Sequence, residues 1–234
     1  FGALVVPASL LPPFRFRFLV RAVYDSGVLS LALVCASGLT VGLVLGLQLH
    51  NTLARFGAAE SLGTAVGLSL IRELGPVLTG LLVVGRAGSA VTAEIGAMKA
   101  TEQLDGLRMM AIDPVHFIVM PRAVGLGLVM PLLSALFIVC GIFGAYLVGV
   151  GLLGLDPGSY LSHLENAVDF RDDVLQSLVK AVVFGLLAGL VATWRGWACE
   201  PNAAGVSRAT TSTVVTGSVC ILLADYLITA LWGV

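Results

Sequence analysis

Long apolar stretches separated by polar segments run through the chain, and each stretch is long enough for a helix that crosses a membrane. Residues 28–49 contain 22 consecutive residues without a charge, enough to cross a hydrocarbon layer of about 30 Å at about 1.5 Å per residue. The pattern predicts five spans, at about residues 28–49, 64–93, 117–153, 174–193 and 214–232. We therefore predict an all-α integral membrane protein with five transmembrane helices that form a single domain over residues 28–234.

One polar segment, residues 94–113, separates the second span from the third and carries charges of both signs. It ends at Asp113-Pro114, and an amphipathic connection of this kind is typical of a short helix on the membrane surface. We predict such a helix over residues 94–113, presenting a docking face to another protein.

The segment before the first span is also amphipathic. Residues 14–24 mix bulky apolar residues with Arg15, Arg17 and Arg21, and Pro12-Pro13 precede them, as prolines often do at the start of a helix. We predict that residues 1–27 contain a helix lying in the membrane interface. The alternative is an ordinary basic flank that anchors the first span.

Composition agrees with a membrane protein, because 58% of the residues are hydrophobic and 12% are charged, against roughly 25% charged in soluble domains. Nine of the 13 lysines and arginines lie on one side of the predicted spans. By the positive-inside rule, the N-terminus and residues 94–113 are cytoplasmic and the C-terminus lies on the opposite side. That opposite side carries an acidic loop with Asp156, Glu165, Asp169, Asp172 and Asp173.

Arg72, Glu73, Lys180 and Asp225 are among the ionisable residues within the predicted spans, where a charge near the centre costs at least about 2.5 to 3.5 kcal/mol. Counted from the span ends, the last three share a depth of roughly 9 to 14 Å, so they can neutralise one another. Pro76 cannot donate to the carbonyl oxygen of Arg72, which weakens the helix beside these charges. Two interpretations remain open: a transport path, or a buried ion-pair network that holds the bundle together.

Glycines repeat at intervals of four residues on two of the predicted spans. Gly38, Gly42 and Gly46 form one stripe, and Gly185 with Gly189 forms another. Such stripes allow transmembrane helices to approach closely, although the sequence does not identify the partner helix.

Signatures of nucleotide hydrolysis and of common enzyme classes are absent from the sequence. Lys99 and Lys180 are each followed by alanine, which excludes the loop G-x-x-x-x-G-K-[S/T]. Neither G-x-S-x-G nor H-E-x-x-H occurs, and the cysteines and histidines lack metal-ligand spacing. We therefore expect a protein that is not an enzyme and that binds neither a metal nor a cofactor itself.

Several short motifs occur in an order that resembles the MlaE (YrbE) family of ABC-transporter permeases. They are Arg72–Pro76, Gly85–Ala90, Ala93–Gly96, Met98–Gln103, Met109–Pro114 and Gly205–Thr211. The resemblance covers essentially residues 28–234 and implies a homodimeric permease of the bacterial inner membrane. Such a permease moves phospholipids between the inner and outer membranes and maintains outer-membrane lipid asymmetry.

The resemblance also implies partners and roles for particular residues. The partners are a cytoplasmic ATPase dimer that binds ATP and Mg²⁺, a STAS-domain protein and a periplasmic hexamer of MCE-domain proteins, with no nucleic acid. Residues 94–113 become a coupling helix that contacts the ATPase through Glu94, Lys99, Thr101, Glu102, Asp105 and Arg108. The transport path involves Arg72, Glu73, Lys180 and Asp225.

A lipid cavity between protomers, near the ends of the first, second and fifth spans, is a further implication of the resemblance. Leu45, Leu49, Leu53 and Phe56 are candidates for lining an acyl-chain slot, and ordinary packing is the alternative. Two other functions remain possible from sequence. One is an ion- or proton-coupled secondary transporter that uses Glu73, Lys180 and Asp225 as a relay, and the other is a structural membrane scaffold.

Overall fold

The structure, a computed structural model, describes residues 16–232, and this part of the chain contains helices and no strand. The five long helices are α1 (Phe16–Arg55), α2 (Ala59–Ala100), α4 (Val115–Leu152), α6 (Phe170–Ala198) and α7 (Ala203–Trp232). Two short helices, α3 (Gln103–Met109) and α5 (Pro157–Ala167), lie in the connections. All five long helices are apolar and long enough to cross a membrane, so the predicted all-α membrane fold is confirmed.

Successive long helices run in opposite directions, which gives the bundle two ends. The α3 end contains α3, the C-terminal ends of α2 and α6, and the first turns of α1, α4 and α7. The α5 end contains α5, the C-terminal ends of α1, α4 and α7, and the first turns of α2 and α6. A hydrogen bond of 2.9 Å from the Thr64 hydroxyl to the carbonyl oxygen of His163 attaches α5 to α2.

Helix α1 differs from the predicted separate helix within residues 1–27, because it runs without interruption from Phe16 to Arg55. No proline occurs between these residues, so nothing forces a break at the predicted junction. At 40 residues the helix is about 60 Å long, well beyond a hydrocarbon layer of about 30 Å. Residues 1–15, which complete the predicted segment, lie outside the described residues.

The predicted helix over residues 94–113 is divided in the structure. Residues 94–100 form the last turns of α2, and the separate helix α3 covers only Gln103–Met109. Glu102 breaks the helix between them, because its φ of 57° lies in the left-handed region. At the other end, the Asp113 carboxylate accepts the backbone N–H of Val115 at 3.0 Å, which caps the first turn of α4.

Both glycine stripes pack against α4, which is therefore the central helix. A Cβ at Gly42 would overlap the carbonyl group of Gly141, and one at Gly189 would lie 2.5 Å from the carbonyl oxygen of Ala123. The backbone of α1 thus packs directly against α4 near Gly141, and the backbone of α6 packs directly against α4 near Ala123.

Five π-helical turns occur in the long helices described here, two inside α2 and the others at the ends of α4 and at the start of α6. They are Leu70–Leu74, Val84–Gly88, Val115–Val119, Leu147–Leu152 and Phe170–Val174. A π turn frequently marks a functional position in a helix. The first of them contains Arg72 and Glu73, and the last contains Asp173.

Candidate functional site

A buried lysine joins three helices near the α5 end. The Nζ atom of Lys180 on α6 lies 2.8 Å from Oε2 of Glu73 on α2 and 2.9 Å from Oδ1 of Asp225 on α7. The Lys180 side chain is 0% exposed, whereas Glu73 is 41% and Asp225 19% exposed. The structure therefore brings together three of the four charged residues that the sequence indicated. We call Glu73, Lys180 and Asp225 the charged triad.

The backbone of α2 supplies a second hydrogen-bond acceptor for this lysine, in addition to Glu73. Lys180 Nζ donates to the carbonyl oxygen of Arg72 at 3.0 Å. That carbonyl lies four residues before Pro76, which has no N–H to donate. Pro76 thus leaves the Arg72 carbonyl oxygen without this helical donor, and the buried ammonium group of Lys180 donates to it instead.

The side chain of Arg72 points elsewhere. It forms an ion pair and a hydrogen bond with Asp173 at the start of α6. Asp173 is fully buried, and its Oδ2 atom also accepts the backbone N–H of Asp169 at 2.8 Å. Arg72 itself is 48% exposed, so the pair fixes the guanidinium group while leaving part of it accessible.

Sequence reasoning missed Asp173 as a site residue and assigned it to the acidic loop. A signal was available, since Asp173 precedes Lys180 by seven residues on one helix, which places both on the same face. Thr229 was also missed. It lies four residues after Asp225 on α7 and donates its hydroxyl hydrogen to Glu73 Oε1 at 3.2 Å.

The arrangement combines a rigid inner part with an accessible outer part. Lys180 and Asp173 are buried and fully engaged, whereas Glu73 and the guanidinium group of Arg72 reach the surface. Arg72 is paired with Asp173 through Nε, and because its side chain is half-exposed, its other N–H groups can still contact an anionic group. The arrangement can position a charged group beside Arg72 and Glu73.

The four leucine and phenylalanine positions proposed for lipid contact lie along the last turns of α1 and just beyond it. Leu45, Leu49 and Leu53 are half-buried and pack against the hydrophobic core. Phe56 is exposed in the turn between α1 and α2. Their role in lining an acyl-chain slot stays a prediction.

Two of the residues proposed for ATPase contact bind within the chain. Glu94 pairs with Arg122 on α4 at 3.0 Å. The Lys99 ammonium group donates to the carbonyl oxygens of Trp197 and Cys199 at 2.8 Å each. Lys99 thus satisfies carbonyl groups at the C-terminal end of α6, a position where a cation is favourable.

The other four proposed contact residues are exposed at the α3 end. Thr101 and Glu102 form the turn before α3, and Asp105 pairs with Arg108 at 2.9 Å within that helix. The Arg108 guanidinium group also lies 5.5 Å from the ring centre of Trp197. Helix α3 therefore presents a charged surface while it contacts the end of α6.

No group of three or more histidine, cysteine, aspartate or glutamate side chains that could hold a metal ion occurs within residues 16–232. The four cysteines in this part of the chain are free thiols.

Comparisons with known proteins match nearly the whole chain to one family of permeases. A family profile described as Permease MlaE matches residues 19–231. The intermembrane phospholipid transport system permease protein MlaE of Haemophilus influenzae is 47% identical over 231 residues, covering 99% of this chain and 88% of that protein.

Two further relatives share a lower identity with this chain. A probable ABC transporter permease protein of Rickettsia typhi is 39% identical over 99% of this chain and 89% of its own length. The chloroplastic protein TRIGALACTOSYLDIACYLGLYCEROL 1 of Arabidopsis thaliana is 29% identical over 92% of this chain and 61% of its own length.

Proposed function

The chain belongs to the MlaE permease family, and from this membership we propose that it is the permease subunit of an ABC transporter that moves phospholipids between bacterial inner and outer membranes. In this role it maintains the lipid asymmetry of the outer membrane. The chain converts motion into lipid movement and changes no covalent bond.

The observation that carries the proposal is the charged site near the α5 end. Its buried members, Lys180 and Asp173, hold Glu73 and Arg72 on a π turn of a membrane-spanning helix. Charged groups at such depth are costly and tend to have a function. The half-exposed guanidinium group of Arg72 matches the phosphate of a lipid headgroup in both charge and geometry.

The energy source in this proposal is a cytoplasmic ATPase dimer that binds ATP and Mg²⁺. The ATPase contacts the α3 end through Thr101, Glu102, Asp105 and Arg108, while Glu94 and Lys99 stabilise the backbone that presents them. Closure of the ATPase moves α3, and the contacts of Lys99 and Arg108 with the end of α6 pass that movement into the bundle.

The assembly that we propose contains two copies of this chain, a STAS-domain protein and a hexamer of MCE-domain proteins. Helix α7 supports the second copy, because only 11% of its most apolar window is buried within one chain. We place the complex in the inner membrane with the N-terminus and the α3 end in the cytoplasm. The α5 end and the C-terminus then face the periplasm, where the lipid cavity between protomers opens towards the MCE ring.

The test is ATP-driven lipid transfer from liposomes that contain the chain together with the subunits that co-purify with it. The readout is the movement of a fluorescent phospholipid to an acceptor. We expect Arg72→Gln to slow transfer about tenfold, the effect of losing one charge-assisted contact. Arg171→Gln, which removes an exposed arginine one helix away, leaves the rate unchanged.

One result would overturn this function in favour of an ion- or proton-coupled transporter. Liposomes that contain only this chain would then show flux driven by a proton gradient, without ATP.

Arg72→Lys separates loss of function from misfolding, since it keeps a cation beside Asp173 and we expect it to retain intermediate transfer.

A further inference from the structure

A large cavity lies at the α3 end of the bundle, whereas the charged triad lies near the α5 end. Its volume is about 930 Å³, and its walls come from the first turns of α1, the second half of α2, α3 and the start of α4. This volume lies within the range of about 300 to 1,000 Å³ that is usual for binding sites of organic ligands.

The charge balance of the cavity is positive. Three arginines and two carboxylates line it, and two of the arginines are neutralised, because Arg21 pairs with Asp25 and Arg122 pairs with Glu94. Arg86 is the third arginine, and no carboxylate among residues 16–232 pairs with it.

Arg86 is nevertheless held in a fixed position. Its Nη1 atom donates to the hydroxyl oxygen of Ser30 at 2.8 Å, and that hydroxyl group donates to the carbonyl oxygen of Ser26 at 2.6 Å. Both serines are buried. The chain of hydrogen bonds orients a guanidinium group towards the cavity without neutralising it, so the remaining N–H groups favour an anion.

The depth of Arg86 points to an anion at the membrane boundary. Its partner Ser30 lies two residues after the start of the uncharged stretch 28–49, which is where the hydrocarbon region begins on the α3 side. Arg86 itself follows Glu73 by 13 residues on α2, which is about 20 Å along the helix. The headgroup phosphates of the leaflet at the α3 end lie at this level.

The walls of the cavity suit the apolar part of the same ligand. Phe18 and Phe117, whose ring centres are 4.8 Å apart, contribute to one wall. Leu29 also lines the cavity and is 57% exposed. Leu29 belongs to the uncharged stretch of α1, so the cavity also offers an apolar surface that suits acyl chains.

We propose that this cavity binds a phospholipid of the leaflet at the α3 end, with its phosphodiester group on Arg86. The site is separate from the charged triad, and its occupancy is measured without transport. A negative result here therefore leaves the proposed transport function standing, and loss of transport leaves this site standing.

The test uses the full chain with its co-purifying subunits in nanodiscs that contain phosphatidylglycerol with a photoreactive group near the glycerol. After irradiation, labelled peptides are mapped by mass spectrometry. We expect labels in residues 18–29 and 86–98, reduced about tenfold in Arg86→Gln. Arg195→Gln is the matched control, because Arg195 also donates to one hydroxyl group, that of Thr216 at 2.9 Å, and lies outside the cavity.

A second variant keeps the test valid if Arg86→Gln fails to fold. Ala90→Phe fills the cavity at an exposed wall position without removing a charge, and we expect it to lower labelling of both peptides. Equal labelling of wild type, Arg86→Gln and Ala90→Phe would overturn the proposal. Absence of labelling in the wild type, together with Arg86-dependent binding of inorganic phosphate, would also overturn it, since the site would then bind free phosphate instead of a lipid.

Discussion

Lys180 is a fully buried cation that donates to Glu73 and to the Arg72 carbonyl on α2 and forms an ion pair with Asp225 on α7. The effect of a buried charge on the free energy of unfolding depends on whether its partners are present. A paired charge is tolerated at depth, whereas removal of one partner leaves the others without compensation.

Lys180→Met is accordingly expected to lower the free energy of unfolding by about 3 to 5 kcal/mol, because it leaves two carboxylates without their cation. The same substitution in a chain that already carries Glu73→Gln and Asp225→Asn should cost much less. Thermal unfolding in detergent measures both values. If the neutralised chain recovers stability but not lipid transfer, the triad acts in transport. Recovery of both would support the alternative in which the triad only holds the bundle together.

The pair between Arg72 and Asp173 gives a second prediction at this scale. Asp173→Ala should lower the free energy of unfolding by about 1 to 3 kcal/mol, since Arg72 keeps partial access to solvent while the Asp169 backbone loses its acceptor. Asp172→Ala, at the exposed neighbouring position, should change it by less than about 0.5 kcal/mol. Equal effects of the two substitutions in the same unfolding assay would contradict this assignment.

Counting residues from span ends was sufficient to place Glu73, Lys180 and Asp225 together, because depth in a helix follows directly from sequence position. Asp173 was not assigned to this site, because it lies just before the predicted span 174–193. The helix itself already begins at Phe170. The Arg86 cavity was also beyond prediction, because it depends on how closely α1 approaches α2.

At the scale of helices, the glycine stripes determine how closely α1 and α6 approach α4. The sequence indicated close packing correctly and left the partner open, because a stripe of small residues carries no information about the surface that it meets. The ends of the helices were less predictable. Apolar stretches stop at the membrane boundary, whereas backbone hydrogen bonding continues, as in α1 from Phe16 to Arg55.

Gly42→Ala tests this packing directly. The added methyl group overlaps the carbonyl group of Gly141, so the helices must separate, and we expect a loss of about 1 to 3 kcal/mol in stability. Gly85→Ala is the matched control, because no atom lies within 4 Å of its Cβ position and alanine favours a helix by about 1 kcal/mol. A midpoint of thermal unfolding that falls equally for both variants would show that the stripe is not a close contact.

For the molecule as a whole, the α3 end and the α5 end carry different chemistry. The α5 end holds the charged triad, and the α3 end presents the charged turn that we propose for ATPase contact. The sequence predicted the position of the charged turn at the α3 end only approximately. It predicted one helix over residues 94–113, whereas the left-handed backbone at Glu102 separates the end of α2 from α3.

Glu102→Lys should reduce co-purification of the ATPase about tenfold or more, because reversing one charge in an interface both removes an attraction and adds a repulsion. Glu60→Lys makes the same change at an exposed position of the α5 end and should leave co-purification intact. The measurement is the ratio of ATPase to permease after affinity purification, and an unchanged ratio for Glu102→Lys would argue against this surface.

Two lysines connect α6 to α2. Lys99 on α2 donates to the carbonyl groups of Trp197 and Cys199 at the C-terminal end of α6, and Lys180, about a third of the way along α6, pairs with Glu73 on α2. From Lys180 to Trp197 is 17 residues, or about 26 Å. An α-helix of this length behaves as a stiff rod. If the ATPase that we propose at the α3 end moves the end of α6, this length of helix would transmit the movement towards Lys180 and Glu73.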